Sequence, residues 1–185
     1  MSPDEANINE PQVILVDRDD IPVGTAGKME AHRKALLHRA VSVFIITPAG
    51  EWILQRRAFD KYHSKGLWTN TCCTHPLPGE LSSDSARRRL REEMGIDCEL
   101  RKIFSFVYRE KLENDLYEHE FDHVFIGVSE SRPEPDRSEV EEWKAVTFEM
   151  LEKDIREYPG DYTVWFKKIF RKVNDFIAEI KTGEL

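Results

Sequence analysis

The chain reads as an α/β (α+β) protein with a mixed β-sheet core flanked by helices, and two observations predict this class. Short runs rich in β-branched and aromatic residues recur as far as Phe148, separated by turn signals. Helical periodicity is confined to a few stretches between and after them. A length of 185 residues with 40% hydrophobic composition allows one substantial core, so residues 1–185 are expected to form a single domain, with 1–10 a flexible tail.

Residues 12–17 form the first expected strand, and 20–24 a turn marked by Pro22 and Gly24. A short helix is expected over 29–36. Residues 40–47 are β-rich, 48–50 turn the chain, and 51–56 resume as the second arm of a hairpin, which leaves Arg56 and Arg57 at a strand exit. Ser82, Ser83 or Asp84 can cap a helix in which Ala86, Leu90 and Met94 recur every four residues, and Gly95 stops it. Further strands are expected at 100–108, 119–128 and 143–148, with the proline-containing 132–136 as a surface break. After Tyr158, Pro159 and Gly160, the residues Phe166, Ile169, Phe170, Val173, Phe176, Ile177 and Ile180 trace a helical stripe. Its opposite face is mixed in charge, which assigns the stripe to core packing rather than to a membrane or a partner helix.

A formal charge of −8, from 35 acidic and 27 basic residues, opposes broad attraction to nucleic acid or anionic lipid. A small anionic ligand needs local cations or a divalent metal, and Arg87, Arg88, Arg89 and Arg91 are one source, although such a run alone also reads as a solvated helix face. No apolar run approaches the roughly 18 residues of a membrane span, and the acidic start lacks a secretory pattern. A cytoplasmic monomer is therefore expected. Cys72, Cys73 and Cys98 are odd in number and two are adjacent, which favours reduced thiols over a disulfide framework.

The densest chemistry lies between Trp68 and Ile96. Thr69, Asn70, Cys72, Cys73, Thr74, His75 and Pro76 join thiols to an imidazole, and Glu93 follows eighteen residues after His75 on the helix that carries Arg88, Glu92 and Gly95. Alternation in an extended segment points Cys72 and Cys73 in opposite directions. A second cluster, Tyr117, Glu118, His119 and Glu120, falls on an expected strand. There Glu118 and Glu120 share one face and can converge on a metal, whereas His119 and His123 turn to the other face with Phe121 and Phe125. His63 has no assignment.

On these residues the chain resembles the type I isopentenyl diphosphate isomerases, enzymes of the Nudix fold, from Lys28 to Trp165. The best matches are Thr69 and Asn70 with Cys73 to Pro76, the helix end Glu93, Met94 and Gly95, and the run Tyr117 to Glu120. The resemblance implies interconversion of isopentenyl and dimethylallyl diphosphates by protonation and deprotonation, with the diphosphate left intact. It implies Cys73 and Glu120 on opposite sides of the allylic unit, Tyr108 positioning Glu120, and Trp165 facing a carbocation that must be kept from water. His32, His38, His75, Glu118 and Glu120 resemble the divalent-metal set, suited to manganese or zinc. Six residues separate His32 from His38, so a turn must lie between them. Lys28, Arg57, Lys61 and Arg89 match positions around the diphosphate, and magnesium is expected to bridge it to Glu93.

Two other functions stay open. A Nudix hydrolase of a nucleoside diphosphate derivative usually carries a carboxylate where this chain has Arg89, while Thr74 replaces a glycine that commonly begins the motif in the hydrolases and the isomerases alike. A metal-stabilised binding module without turnover would use the same ligands.

Overall fold

The computed structural model describes residues 10–180, so the expected tail, apart from Glu10, lies outside the described residues. Strands β1 (Gln12–Val16) and β2 (Pro22–Gly27) form an antiparallel hairpin. Its turn corrects the expected 20–24. The Asp17 side chain accepts hydrogen bonds from the backbone N–H groups of Asp19 and Ile21, both at 2.9 Å, and Asp20 takes a left-handed φ of 64°. That Asx turn closes before Pro22, which can open an edge strand because its missing N–H is not needed there.

Helix α1 (Lys28–Lys34) ends at Ala35, whose left-handed φ of 51° reverses the chain into β3 (His38–Ile46). This is the turn that the spacing of His32 and His38 requires. β3 is the organising strand. Its whole length pairs in parallel with β8 (Tyr117–Val128), from His38 opposite Glu120 to Ile46 opposite Val128. Its other edge is shared in succession by β1, by β6 (Cys72–Thr74) and by β4 (Trp52–Arg57). β7 (Arg101–Lys111) runs antiparallel to β8, while β5 (Trp68–Thr69) and β9 (Val140–Val146) flank β4.

The period of two along β3 divides two cores. Val41, Val43 and Ile45 meet Leu90 and Met94 of α2 (Ser82–Met94) on one face. Phe44 and Ile46 meet Phe166, Phe170 and Val173 of α4 (Val164–Ile180) on the other. Leu90 is fully buried, and truncating such a side chain to alanine costs about 2–5 kcal/mol. The stripe on α4 behaves as core packing, with Phe176 only half-buried and the side chain of Ile180 outside the described residues.

Two boundaries differ from expectation. Leu81, not Ser82, Ser83 or Asp84, takes the N-cap position of α2, and no side chain caps it. The helix starts at Ser82, leaving Asp84 in the first turn near the positive end of the dipole. The strand expected over 143–148 stops at Val146, because the Thr147 hydroxyl accepts from Met150 N–H and starts α3 (Phe148–Glu157), a helix that the strand pattern concealed. The break at 132–136 lies largely at the surface, as expected, and is also docked on the end of α2. Glu134 N–H and Asp136 N–H donate to the carbonyls of Met94 and Glu93. Gly95, with φ 66°, permits this approach, since a Cβ there would lie 2.9 Å from the Glu134 carbonyl oxygen.

Candidate active site

The sheet gathers the chemistry into one cavity of about 350 Å³. Its walls include Lys28, Arg57, Lys61, Cys73, His75, Arg89, Glu93, Tyr108, Glu118, Glu120 and Trp165. His32 and His38 lie buried behind this wall.

Cys73 and Cys72 do point to opposite faces. Cys72 is fully buried against α2, whereas the half-buried Cys73 enters the cavity. The Cys73 thiol donates to Asn70 Oδ1 at 3.1 Å, and the Asn70 amide is itself fixed by donating to the carbonyls of Val43 and Cys72. Ser42, opposite Cys73 in the register, lies 3.9 Å from Sγ and donates to Asp122 at 2.7 Å. Burial, with the nearby Asp122 charge, pushes the Cys73 thiol up to about 12. Burial therefore favours the neutral thiol over the thiolate at this position.

Glu120 is the counterpart across β3. Burial alone would raise its pKa, but hydrogen bonding to His75 and to the Tyr108 hydroxyl holds it below the ordinary carboxylate range. Tyr108 donates to Glu120 Oε2 at 2.6 Å, from the position directly opposite on β7. Glu118 behaves in the opposite way: burial and the Glu120 charge push it well above that range.

The imidazoles converge. His38 Nε2 lies 3.2 Å from His75 Nε2, and ligand atoms of His32, His38 and His75 fall within 4.8 Å of one another, as do those of His38, Glu118 and Glu120. Carbonyl oxygens of Tyr117 and Leu36 accept from Nδ1 of His32 and His38, which fixes those tautomers and leaves each Nε2 with its lone pair. Burial lowers the pKa of His32 to about 4 and of His75 to about 3, so both rings are neutral at physiological pH. Glu118 Oε2 is buried without a hydrogen-bond partner. Lone pairs facing one another beside an unpartnered carboxylate oxygen are the chemistry of a divalent-cation site, and a cation there would favour the charged form of Glu118.

The expected diphosphate residues form the other end of the cavity. Arg57 donates to the carbonyls of Ser64 and His63 and lies 5.4 Å from the centre of the Trp165 ring. Lys28 sits over the Tyr62 ring at 4.9 Å, with its pKa lowered by burial and by Arg57. Arg89 bonds Glu92 at 2.7 Å and Glu93 at 2.6 Å, while Lys61 pairs with Glu139.

Several residues here escaped the sequence reading. His63 is buried, with Nε2 3.4 Å from Glu118 and its ring edge-on to Trp165. It comes from an irregular loop, and no spacing tied it to the strands. Glu139 follows the proline-containing break. Asp122 could have been found, because it continues the alternation of Glu118 and Glu120.

Fold and site together define a Nudix protein, and the NUDIX domain family matches residues 36–166. Among solved structures, the DR0079 protein of Deinococcus radiodurans superposes with a TM-score of 0.70 at 20% identity, covering 86% of this chain and 98% of that one. The MutT protein of Methanosarcina mazei gives 0.61 at 22%, covering 75% and 94%. These likenesses carry the fold alone. Isopentenyl-diphosphate Delta-isomerase 2 of Aromatoleum aromaticum is 54% identical over 164 residues, 89% of this chain and 87% of the relative. Isopentenyl-diphosphate Delta-isomerase of Burkholderia multivorans is 50% identical over 157 residues, 85% and 89% of the two chains. The chain belongs to the isopentenyl-diphosphate Delta-isomerase family.

Proposed function

We propose that this protein interconverts isopentenyl diphosphate and dimethylallyl diphosphate in isoprenoid biosynthesis, through a 1,3-allylic rearrangement. The observation that carries the reading is one cavity lined by a neutral thiol, Cys73, and an anionic carboxylate, Glu120, with cationic Arg57, Lys61 and Arg89 at its other end. A proton added to the terminal alkene carbon breaks the π bond and leaves a tertiary cation. Loss of a proton from the neighbouring methylene carbon forms the new double bond. One proton enters the substrate and one leaves, so the acid–base pair holds the same number of protons after each turnover, and the diphosphate is untouched.

Cys73 and Glu120 carry the proton transfers, and Tyr108 orients Glu120 through their hydrogen bond. Trp165 presents an aromatic wall to the cation, an interaction worth roughly 0.5–2 kcal/mol. Arg57, Lys61, Arg89 and Lys28 bind the diphosphate.

His32, His38, His75, Glu118 and Glu120 would hold one divalent metal, manganese or zinc, and Glu93 would hold a magnesium ion when substrate is bound. When bound, the first fixes the orientation and charge of Glu120, and the second offsets diphosphate charge. The unpartnered Glu118 oxygen supports the first assignment.

The competing hydrolase reading loses ground at Arg89. A hydrolytic metal cluster would take a carboxylate at that position, and this chain supplies a guanidinium suited to holding an intact diphosphate. The three free cysteines suit the cytoplasm. Among the described residues, no helix is long and apolar enough to cross a membrane. Incubation with isopentenyl diphosphate and magnesium decides the reaction: dimethylallyl diphosphate should form without free phosphate. Release of phosphate or pyrophosphate would instead establish a hydrolase.

A further inference from the structure

The Lys61 and Arg89 side chains assigned to the diphosphate converge on a carboxylate of the protein itself. Glu139 Oε2 contacts Lys61 Nζ, and the same oxygen lies 3.4 Å from Arg89 Nη2. That Arg89 nitrogen also carries Glu93 at 2.6 Å, so both cations are already neutralised in the free protein. Glu139 lines the cavity and its side chain is about one quarter exposed, at 26%.

Its position is built, not incidental. Glu139 N–H donates to the Asp136 carbonyl, and the Glu139 carbonyl accepts from Ala58 N–H. Asp136 is in turn held by the Glu93 carbonyl at the end of α2 and caps its own turn by accepting from Ser138 N–H and Oγ. The helix that presents Arg89 therefore also anchors the segment that places a negative charge against it.

We propose that the Glu139 carboxylate is an internal stand-in for the substrate's diphosphate, occupying the Lys61 and Arg89 cradle until a more highly charged anion displaces it. This rests on the reading that Lys61 and Arg89 bind the diphosphate. Two consequences follow from charge alone. The cations are kept paired in a partly buried site, where unpaired charges would destabilise the fold. A ligand must also outcompete a tethered carboxylate, which an anion of two or more charges spread over many oxygens does and a singly charged one does not. Glu139 thus sets the cradle's preference for diphosphate over less charged ligands and favours product release.

Calorimetry with inorganic pyrophosphate and orthophosphate as probes, without magnesium and at fixed ionic strength, tests this on the parent protein, Glu139→Gln and the control Glu142→Gln. Glu142 is more exposed and carries the same charge, but faces Arg56 instead. The expected result is that Glu139→Gln binds pyrophosphate about tenfold tighter, gains still more for orthophosphate, and melts at a lower temperature, whereas Glu142→Gln binds like the parent. A simple structural role does not raise affinity. Weaker pyrophosphate binding in Glu139→Gln would make Glu139 a support for the cradle and overturn the inference, as would an equal gain in Glu142→Gln. The parent is assayed for isomer formation in parallel, so failure of the proposed activity shows as missing isomer, and failure of this inference shows as the wrong sign of binding.

Discussion

Cys73 and Glu120 rise from the same face of the sheet on the two strands that flank β3, Cys73 on β6 opposite Ser42 and Glu120 on β8 opposite His38. Their backbones are two strand spacings apart across the sheet, about 10 Å, and four residues apart along β3, about 13 Å, so the thiol and the carboxylate approach the same cavity from separated positions and a five-carbon unit can lie between them. Ser42 ties this geometry together, since it lies against Cys73 and bonds Asp122, two residues beyond Glu120 on the same face.

Cys73→Ala should lower turnover by about 10²–10⁴, the usual worth of a positioned acid or base. Cys72→Ala should keep most activity and lose stability instead, because Cys72 packs beneath α2. Turnover and melting temperature of both variants check this. A folded Cys73→Ala protein with near-parent turnover would remove the thiol from the mechanism.

Glu120→Gln should depress the chemical step more than binding, and Tyr108→Phe should do so to a lesser degree, since Tyr108 acts through Glu120. Arg57→Ala should chiefly weaken binding of the diphosphate. Single-turnover rates measured beside dissociation constants separate the two effects. Normal chemistry in Glu120→Gln, or unaltered affinity in Arg57→Ala, would contradict this division.

Divalent metal should be required in two separable ways. A tightly held ion should survive dialysis in the parent, and His75→Ala, which removes a direct ligand, should lower its affinity by more than the roughly 10–100-fold that follows loss of an outer-shell partner. Magnesium should instead enter with substrate and depend on Glu93. Elemental analysis with and without substrate reads both, and full activity in verified metal-free protein would refute the requirement.

The pair Glu80 and Arg88 gives a pH prediction away from the chemistry. Arg88 donates to both Glu80 oxygens, at 2.7 and 2.9 Å, and this hydrogen bonding lowers the Glu80 pKa. A carboxyl whose folded pKa is depressed adds stability above its unfolded value near 4.5, and that contribution disappears as pH falls through the folded value. Glu80→Gln should therefore cost about 1 kcal/mol at pH 7 and progressively less below pH 4.5. Denaturation of both proteins across pH 3–7 measures the gap. An equal gap at every pH would exclude the linkage.

The sequence disclosed what depends on local periodicity. Alternation along β8 put Glu118 and Glu120 on one face, and the i, i+4 series of α2 put Leu90 and Met94 beneath β3. It did not disclose what depends on where loops return. His63 meets Glu118 and Trp165 only because the segment between β4 and β5 folds over the cavity, and Glu139 meets Arg89 only because the following loop docks on the end of α2. The β2 strand was hidden by Pro22 and Gly24, which signal a turn locally but are tolerated in a sheet edge.

Trp165→Phe should retain more isomerase activity than Trp165→Ala, with diphosphate affinity little changed. The Trp165 ring is buried at the cavity wall, edge-on to His63 and beside Arg57, and its Nε1 has no hydrogen-bond partner. Replacing it with phenylalanine therefore removes no hydrogen bond and keeps a weaker aromatic face and much of the apolar wall. Alanine loses both and opens space for water beside a tertiary cation, which water would trap as an alcohol. Loss of packing alone could produce the same ranking, since a large aromatic cut to alanine costs about 3–5 kcal/mol. Melting temperature and pyrophosphate binding must accordingly be measured with turnover, and the products examined for the alcohol. Equal and near-parent turnover in folded phenylalanine and alanine variants, without alcohol in either, would exclude a cation-stabilising role for Trp165.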